Sequence, residues 1–239
     1  MRYLLTESEA LLIKQKFGYG QLLGLNEKQR IKIGTEKKLK EKGIVYSNNG
    51  KEELSNEYRF LFSSWKNMRY SIVRPDLNDR VNFQCVLSNE EMSIFFVRNK
   101  DVITIDLVDF SAERFEKIII AFAELPNTET TDPMFNISMS MEDCDQLLRC
   151  REDGDFEIWE KTLGIGAQLL KKFVINVNDN FDARLLLVED HIGDVGYLAK
   201  ISITQEGIYA FKHITRHKQQ KIVILYGGTQ FVTESIYNF

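Results

Sequence analysis

Two stretches of this chain decide its fold: SAERFEKIIIAFAEL at residues 111–125 and TQFVTESIYNF at residues 229–239. Each carries apolar residues at helical spacing, and each follows a run of segments with the apolar–polar alternation of strands. A helix-rich segment precedes each strand run, so the order helices, strands, closing helix occurs twice. This repetition predicts an α+β protein of two similar halves, residues 1–125 and 126–239, packed as one compact unit.

The helix-rich segment of the first half starts with a clear cap. Thr6 and, three residues later, Glu9 form a capping-box pattern, and the apolar stripe after them stops at Gly18. A second helix is predicted over Glu27–Lys42, followed by a turn at Asn48–Gly50. A third helix is predicted from about Glu52, with a core-facing stripe made of Leu54, Tyr58, Leu61, Phe62 and Trp65.

The first strand run follows with a period of two. Strands are predicted around Tyr70 and over Val81–Leu87, Met92–Arg98 and Val102–Val108. The connections between them are too short for crossovers, so we expect an antiparallel meander. Ser111 then caps the first closing helix.

The second half repeats this plan after a break between Pro126 and Pro133. Ser140 is a candidate N-cap for its first helix, and Asp155 for a longer helix that continues to Phe173 despite Gly164 and Gly166. Four strands are predicted after these helices, at Arg184–Glu189, Tyr197–Thr204, Ile208–Thr215 and Lys221–Tyr226.

Composition describes an ordinary globular chain of 239 residues with 44% hydrophobic residues and a net charge of −4. The longest apolar run, 118–123, is far shorter than the roughly 20 residues that a membrane span needs. The N-terminus has no secretory signal pattern, which favours a cytoplasmic location. Three cysteines, an odd number, favour free thiols in a reducing compartment.

Charge is unevenly distributed along the chain. Residues 1–67 hold 13 Lys and Arg against 8 Asp and Glu, whereas residues 126–194 hold 6 against 15. The balances are therefore +5 and −9. Two surfaces for different partners would explain this, and so would solvated helix faces of different composition.

Three groups of residues were weighed as chemical sites. The carboxylates of residues 142–155 suit a divalent metal, a general acid/base pair or a capped helix corner. They lack the loop of an EF-hand, and the corner is favoured. His213 and His217 lie i, i+4 in a strand-like segment, where a zinc site is unsupported. Cys85 alternates with inward residues and is predicted to be a core thiol. We predict no catalytic, cofactor-binding or metal-binding residue.

The lysine-rich segment from Glu36 to Trp65 permits a different function. A basic helix, a glycine, a short strand and a turn also occur in winged-helix DNA-binding domains, where Lys37, Lys38, Lys40 and Lys42 would contact phosphates. No helix here shows several base-reading side chains on one face, and the pI of about 5.6 is low for a nucleic-acid binder. A winged-helix regulator remains the alternative function, and no nucleic-acid partner is expected.

The run LKEKGIVYSNNGKEELSNEYRFLFSSWKNMRYSIVRPD, residues 39–76, resembles the helix end, turn, apolar helix and first strand of EspG-type proteins. These are cytoplasmic specificity chaperones of type VII (ESX) secretion systems. In that family each half has helices, an antiparallel meander and a closing helix, and a pseudo-two-fold axis relates the halves. The order of segments along nearly the whole chain is similar.

The resemblance implies a non-enzymatic protein without cofactors that binds helical secretion substrates and keeps their apolar tips soluble. EspG-type proteins often use a long loop between central strands for this contact. Here the turns Ser88–Glu91 and Asn99–Asp101 are short, so the contact surface cannot be carried over and the partner-binding residues stay unknown. The substrates could belong to another class, such as small helical WxG or LXG-toxin-associated proteins. A homodimer also stays open.

Overall fold

The computed structural model describes residues 1–75, 78, 82–89, 91–179, 183–193, 195–216 and 219–237. Within these residues it contains eight α-helices and twelve β-strands, and the strand pairings it gives are antiparallel, which confirms the predicted α+β class. Contacts divide the chain into two units. Unit 1 is Met1–Val73 with Leu77–Ser111, and unit 2 is Arg74–Asp76 with Ala112–Phe239.

Unit 1 has a five-stranded antiparallel sheet in the order β1-β7-β6-β5-β4. Its strands are β1 (Arg2–Thr6), β4 (Tyr70–Val73), β5 (Asn82–Ser88), β6 (Met92–Asn99) and β7 (Val102–Asp109). The predicted meander is confirmed for its described residues; Val81 and Glu90, which belonged to that prediction, lie outside them. The strand β1 was not predicted, and it pairs with β7 at the end of the meander.

Three helices pack on the apolar side of this sheet: α1 (Glu7–Phe17), α2 (Thr35–Glu41) and α3 (Asn56–Lys66). The predicted capping box at Thr6 is present, and α1 ends at Gly18 in the left-handed conformation, with φ 72°. Trp65 is fully buried at the centre of the core, where its indole N–H donates to the carbonyl of Leu23 at 2.9 Å.

Two predictions for this unit are wrong. The helix expected over Glu27–Lys42 covers only Thr35–Glu41, because Gly34 has φ 83° and therefore cannot lie inside a right-handed helix. The helix expected from Glu52 starts at Asn56. Lys51–Leu54 instead forms strand β3, paired with β2 (Val45–Asn48) across the turn at Asn49 and Gly50, whose φ values of 51° and 77° suit a tight hairpin.

Unit 2 contains the same sequence of strand, helices and meander. Its sheet order is β9-β10-β11-β12-β8. Its first strand, β8, again pairs antiparallel with the last strand of the meander. The strands are β8 (Phe135–Met139), β9 (Arg184–Asp190), β10 (Val195–Ile203), β11 (Ile208–Arg216) and β12 (Gln219–Gly227). The four predicted meander strands are confirmed, and β8 was not predicted.

The helices α5 (Met141–Arg149), α6 (Asp153–Leu163) and α7 (Ala167–Asp179) cover one side of this sheet. Ser140 caps α5 as predicted, since its hydroxyl accepts from the backbone of Asp143 at 3.0 Å. The single helix predicted from Asp155 to Phe173 is wrong. The helix α6 ends at Gly164, where φ is 69°, and α7 starts as a separate helix. The N-cap of α6 is Glu152 rather than Asp155.

The two closing helices are α4 (Ala112–Phe122) and α8 (Thr229–Tyr237). Both are present as predicted, and both belong to unit 2, where they pack against each other. The unit containing α4 therefore starts before residue 126. The division into related halves 1–125 and 126–239 stays a prediction.

Candidate partner-binding site

The acidic residues near α5 and α6 serve as helix caps and as partners of a surface lysine. The carboxylate of Asp143 accepts from the Ser140 hydroxyl at 2.7 Å, and that of Asp155 accepts from the backbone N–H of Glu152 at 3.4 Å. Asp153 pairs with Lys171 at 2.7 Å. In the described residues no group of three or more His, Cys, Asp or Glu side chains is arranged to hold a metal. The helix-corner interpretation of this group therefore agrees with its geometry.

His213 lies on β11, half-buried, with its Nε2 atom buried and without a hydrogen bond. His217, the second member of the weighed pair, lies outside the described residues. Cys85 is a buried free thiol in the core of unit 1, as predicted, and its burial raises its pKa. Burial raises the pKa of the Cys144 thiol to about 12, so this group is a poor nucleophile at neutral pH.

The lysines of α2 are largely engaged with carboxylates. Lys37 pairs with Glu41 at 3.6 Å, Lys40 pairs with Glu36 at 3.4 Å and contacts Glu52, and Lys42 pairs with the buried Glu9 at 2.7 Å. Of the four lysines weighed for DNA binding, only Lys38 has no such pair among the described residues. This arrangement leaves little free positive charge for a phosphate backbone.

An apolar groove lies on the outer side of unit 2, between α7 and the connection from α5 to α6. It has a volume of about 210 Å³. Cys150, Phe156 and Val174 line its apolar part, and Ile175, whose side chain is 48% exposed, lies at its rim. The polar lining is formed by Arg151, Lys171 and Asn178.

Hydrogen bonds hold the walls of this groove in place. Asn178 donates to the carbonyl of Leu148 at 3.0 Å, which joins α7 to α5. Arg151 donates to the same carbonyl at 3.0 Å and to that of Cys150 at 2.7 Å. The groove is therefore preformed, with apolar surface that could cover one or two side chains of a partner. The cation of Arg151 at its edge favours an acidic flank on that partner.

Unit 1 exposes two large aromatic side chains, one on its β2–β3 hairpin and one on α3. Tyr46 on β2 and Phe60 on α3 are 41% and 48% exposed. Glu53 accepts hydrogen bonds from Tyr46 at 3.2 Å and Asn48 at 2.9 Å, which fixes the hairpin. No groove is described beside these side chains, so this surface is a weaker candidate than the groove of unit 2.

Neither surface could be found from the sequence. Cys150, Phe156 and Val174 occupy positions with the same apolar pattern as core residues, and only the break at Gly164 brings α6 and α7 together as an antiparallel pair. A correct prediction of that break would have shown that residues 150–178 form a helical hairpin rather than one helix.

Of the comparisons with known proteins, the one with solved structures identifies the fold. No established protein family matches the sequence, and no curated protein matches it. Among solved structures, the chain is similar to the Mycobacterium tuberculosis type VII secretion system chaperone EspG5, whose structure was determined in complex with a PE25–PPE41 dimer. The similarity covers 99% of this chain and 95% of EspG5, with a TM-score of 0.61 and 10% sequence identity. This chain therefore has the EspG5 fold, and the predicted resemblance is confirmed at that level.

Two other solved structures match poorly. They are a Bacillus halodurans protein described as an adenylate cyclase and a Lactobacillus plantarum protein described as an oleoyl thioesterase. Their sequence identities are 13% and 12%, with TM-scores of 0.19 and 0.12. The matches cover 77% and 67% of this chain, and 83% and 75% of those proteins. At such TM-scores neither enzyme bears on the function.

None of the helices in the described residues is long and apolar enough to cross a membrane.

Proposed function

We propose that this protein is a cytoplasmic, non-enzymatic chaperone or adaptor of type VII secretion that binds a small helical secretion substrate. The observation that carries the proposal is the similarity to EspG5 along 99% of the chain. The pseudo-two-fold relation between the halves 1–125 and 126–239, and homodimer formation, belong to the same proposal.

The groove between α7 and the α5–α6 connection is the proposed client contact. Ile175 at the rim of the groove offers an exposed apolar side chain that a partner helix can contact. Phe156 and Val174 line the groove and add apolar surface to the same contact. Apolar tips of helical hairpins aggregate when exposed, so covering them is a sufficient physical basis for chaperoning. Arg151 at the groove edge favours a client with acidic residues beside its apolar tip, whereas Lys171 is already paired with Asp153.

The test is co-expression of the full chain with helical-hairpin secretion proteins, followed by affinity purification and size-exclusion chromatography. We expect a client to co-elute with the wild type and to be lost with Ile175→Asp. Phe60→Asp is the matched control, because Phe60 is also 48% exposed and lies on the helix that precedes the meander of unit 1. It should retain the client.

The two parts of the proposal fail separately. If no helical client is retained by the wild type, the chaperone role is wrong. If a client is retained equally by the wild type and Ile175→Asp but lost with Phe60→Asp, the role stands and the contact lies on unit 1. Charge reversal at Lys37, Lys38 and Lys40 should leave client binding intact, whereas a DNA-binding regulator would lose duplex binding in a gel shift.

A further inference from the structure

The segment between α1 and α2 of unit 1 carries an unusual combination of charge and apolar exposure. Residues 26–34, here called the basic loop, read NEKQRIKIG. The side chain of Ile33 at its end is fully exposed, at 104% relative accessibility, and Lys28 and Arg30 are exposed beside it. Lys38 on the first turns of α2 adds a further exposed cation.

These cations form no ion pair among the described residues. Lys38 still interacts electrostatically with Asp101. The carboxylate of Asp101 also pairs with Lys32, at 2.5 Å. Three cations without an ion pair therefore lie within five residues of one fully exposed aliphatic side chain.

Hydrogen bonds anchor the basic loop at both ends. The backbone N–H of Asn26 donates to the carboxylate of Glu7 at 3.0 Å, and that of Lys32 donates to the hydroxyl of Ser8 at 3.2 Å. The hydroxyl of Thr35 donates to the carbonyl of Lys32 at 2.6 Å. Ile31 packs against the core of unit 1. Ile33 therefore lies between two hydrogen-bonded residues, Lys32 and Thr35, which limits the ordering that binding would require.

We propose that the basic loop docks onto an anionic membrane surface, with Ile33 entering the headgroup region and Lys28, Arg30 and Lys38 contacting lipid phosphates. A single exposed aliphatic side chain with exposed cations close to it in sequence fits interfacial insertion. It does not fit a protein interface, which needs a packed patch of roughly 800 Å² on each partner. The inference is independent of client binding.

The net charge of −4 opposes approach to such a membrane, so docking should be weak, oriented and strongly salt-dependent. Residues 126–194, with their balance of −9, oppose a general electrostatic attraction of the chain to such a membrane. Binding to anionic vesicles would therefore have to come through a local patch, and the basic loop is the candidate with an exposed apolar tip.

The probe is a set of vesicles of equal parts phosphatidylglycerol and phosphatidylcholine, with pure phosphatidylcholine vesicles as the neutral reference. In flotation at about 50 mM salt, the full chain should float with the anionic vesicles only, and binding should disappear near 500 mM, where screening shortens the reach of surface charges. Each cation removed by Lys28→Gln or Arg30→Gln should lower the partition coefficient on the order of fivefold.

Ile33→Ser tests the apolar part, and Ile192→Ser is its matched control. Ile192 is 75% exposed and is also followed by a glycine, but it lies in the turn after Glu189 and Asp190. We expect loss of flotation only for Ile33→Ser, with circular dichroism showing that both variants are folded. Because Ile33 has no contacts to lose, a folding defect is not expected.

Three outcomes would overturn the proposal. The first is absence of flotation with anionic vesicles at low salt. The second is flotation that Ile33→Ser and Arg30→Gln leave unchanged. The third is failure to bind vesicles combined with loss of a co-expressed acidic client in these same variants, which would show that the basic loop recognises a protein. Loss of flotation with full client retention supports the membrane contact and leaves the proposed chaperone role untouched.

Discussion

The two units bury charge at helix ends in opposite ways. In unit 1, negative charge lies at the N-terminus of α1, where Glu7 and Glu9 are 2% and 1% exposed. In unit 2, positive charge lies at the C-terminus of α8, where the buried Lys212 donates to the carbonyl of Ser235 at 2.6 Å. Both arrangements match the sign of the helix dipole, since anions are stabilised at N-termini and cations at C-termini.

The units differ in what else compensates the charge. Glu7 accepts from the buried Arg98 at 3.1 Å, and Glu9 pairs with Lys42 at 2.7 Å, so unit 1 uses full opposite charges. Around Lys212 the described contacts are the carbonyl of Ser235 and the ring of Tyr197, whose centroid lies 4.4 Å from the ammonium. Unit 2 therefore relies on dipoles, and its buried cation can lose its proton rather than stay charged.

This difference teaches that a charge held by an ion pair and a charge held by dipoles respond to different perturbations. Removing a partner should damage unit 1 most, because an uncompensated carboxylate would remain buried. Changing the pH should affect unit 2 most, because proton loss neutralises Lys212 while the rest of its side chain stays in place.

The largest effect is expected for Arg98→Met. It leaves the carboxylate of Glu7 buried with only a backbone donor, Asn26, and should lower the free energy of unfolding by about 3–5 kcal/mol. Urea denaturation followed by circular dichroism measures this loss.

The double variant Arg98→Met with Glu7→Gln is its control. Neutralising Glu7 removes the buried charge, so more than half of the lost stability should return. If the double variant is as unstable as Arg98→Met alone, then lost packing against Phe83, over whose ring the guanidinium lies at 5.4 Å, is the cause rather than the unpaired charge.

The second effect concerns Lys212 and pH. Burial lowers the pKa of Lys212 from 10.5 to about 8 in the folded protein. Between these two values the unfolded chain binds more protons than the folded chain, so stability rises with pH over this window. Relative to Lys212→Met, which cannot titrate, the wild type should gain on the order of 2 kcal/mol across it.

The measurement compares urea midpoints of the wild type and Lys212→Met at pH 7.5 and 9.5. Burial raises the pKa of the neighbouring Tyr197, whose own effect on stability has the opposite sign and begins above about pH 10, so the upper limit avoids it. A difference between the two proteins that does not change with pH would show that Lys212 stays charged, held by Ser235 and the Tyr197 ring.

Much of the fold could be predicted because its signals are local. The caps at Thr6 and Ser140, the turn at Asn49 and Gly50, and seven of the eight meander strands each arise from a few neighbouring residues with fixed geometry, and the structure has them. The strand at Tyr70 was also located, and it covers Tyr70–Val73. The edge strands β1 and β8 were missed although both alternate, with Tyr3 and Leu5 buried around the exposed Leu4. A five-residue strand that directly precedes a strong helix cap is easily interpreted as part of the connection to the helix.

The buried charges and the groove could not be predicted, because they depend on contacts between distant parts of the chain. Glu7 and Arg98 are separated by 91 positions, and neither has a neighbour in sequence that marks it as buried. Helix boundaries at Gly34 and Gly164 were missed for a different reason. A glycine inside a helical pattern is compatible with a weakened helix or with a left-handed stop, and only the observed φ values of 83° and 69° decide between them.

The smallest effect concerns the two helix caps, which look equivalent in sequence. Ser140→Ala removes the acceptor for the backbone N–H of Asp143 at the exposed start of α5, and should lower stability by about 1 kcal/mol. Thr6→Ala removes the acceptor for Glu9, whose own carboxylate is buried and shared with Lys42. Thr6→Ala should therefore destabilise more than Ser140→Ala, because water cannot replace the lost acceptor in the buried first turn of α1.

Ser138→Ala, an exposed position on β8 two residues before the cap, is the control and should stay within about 0.5 kcal/mol of the wild type. Equal losses for Thr6→Ala and Ser140→Ala in the same urea titration would mean that the buried ion pairs hold the first turn of α1 without help from its cap.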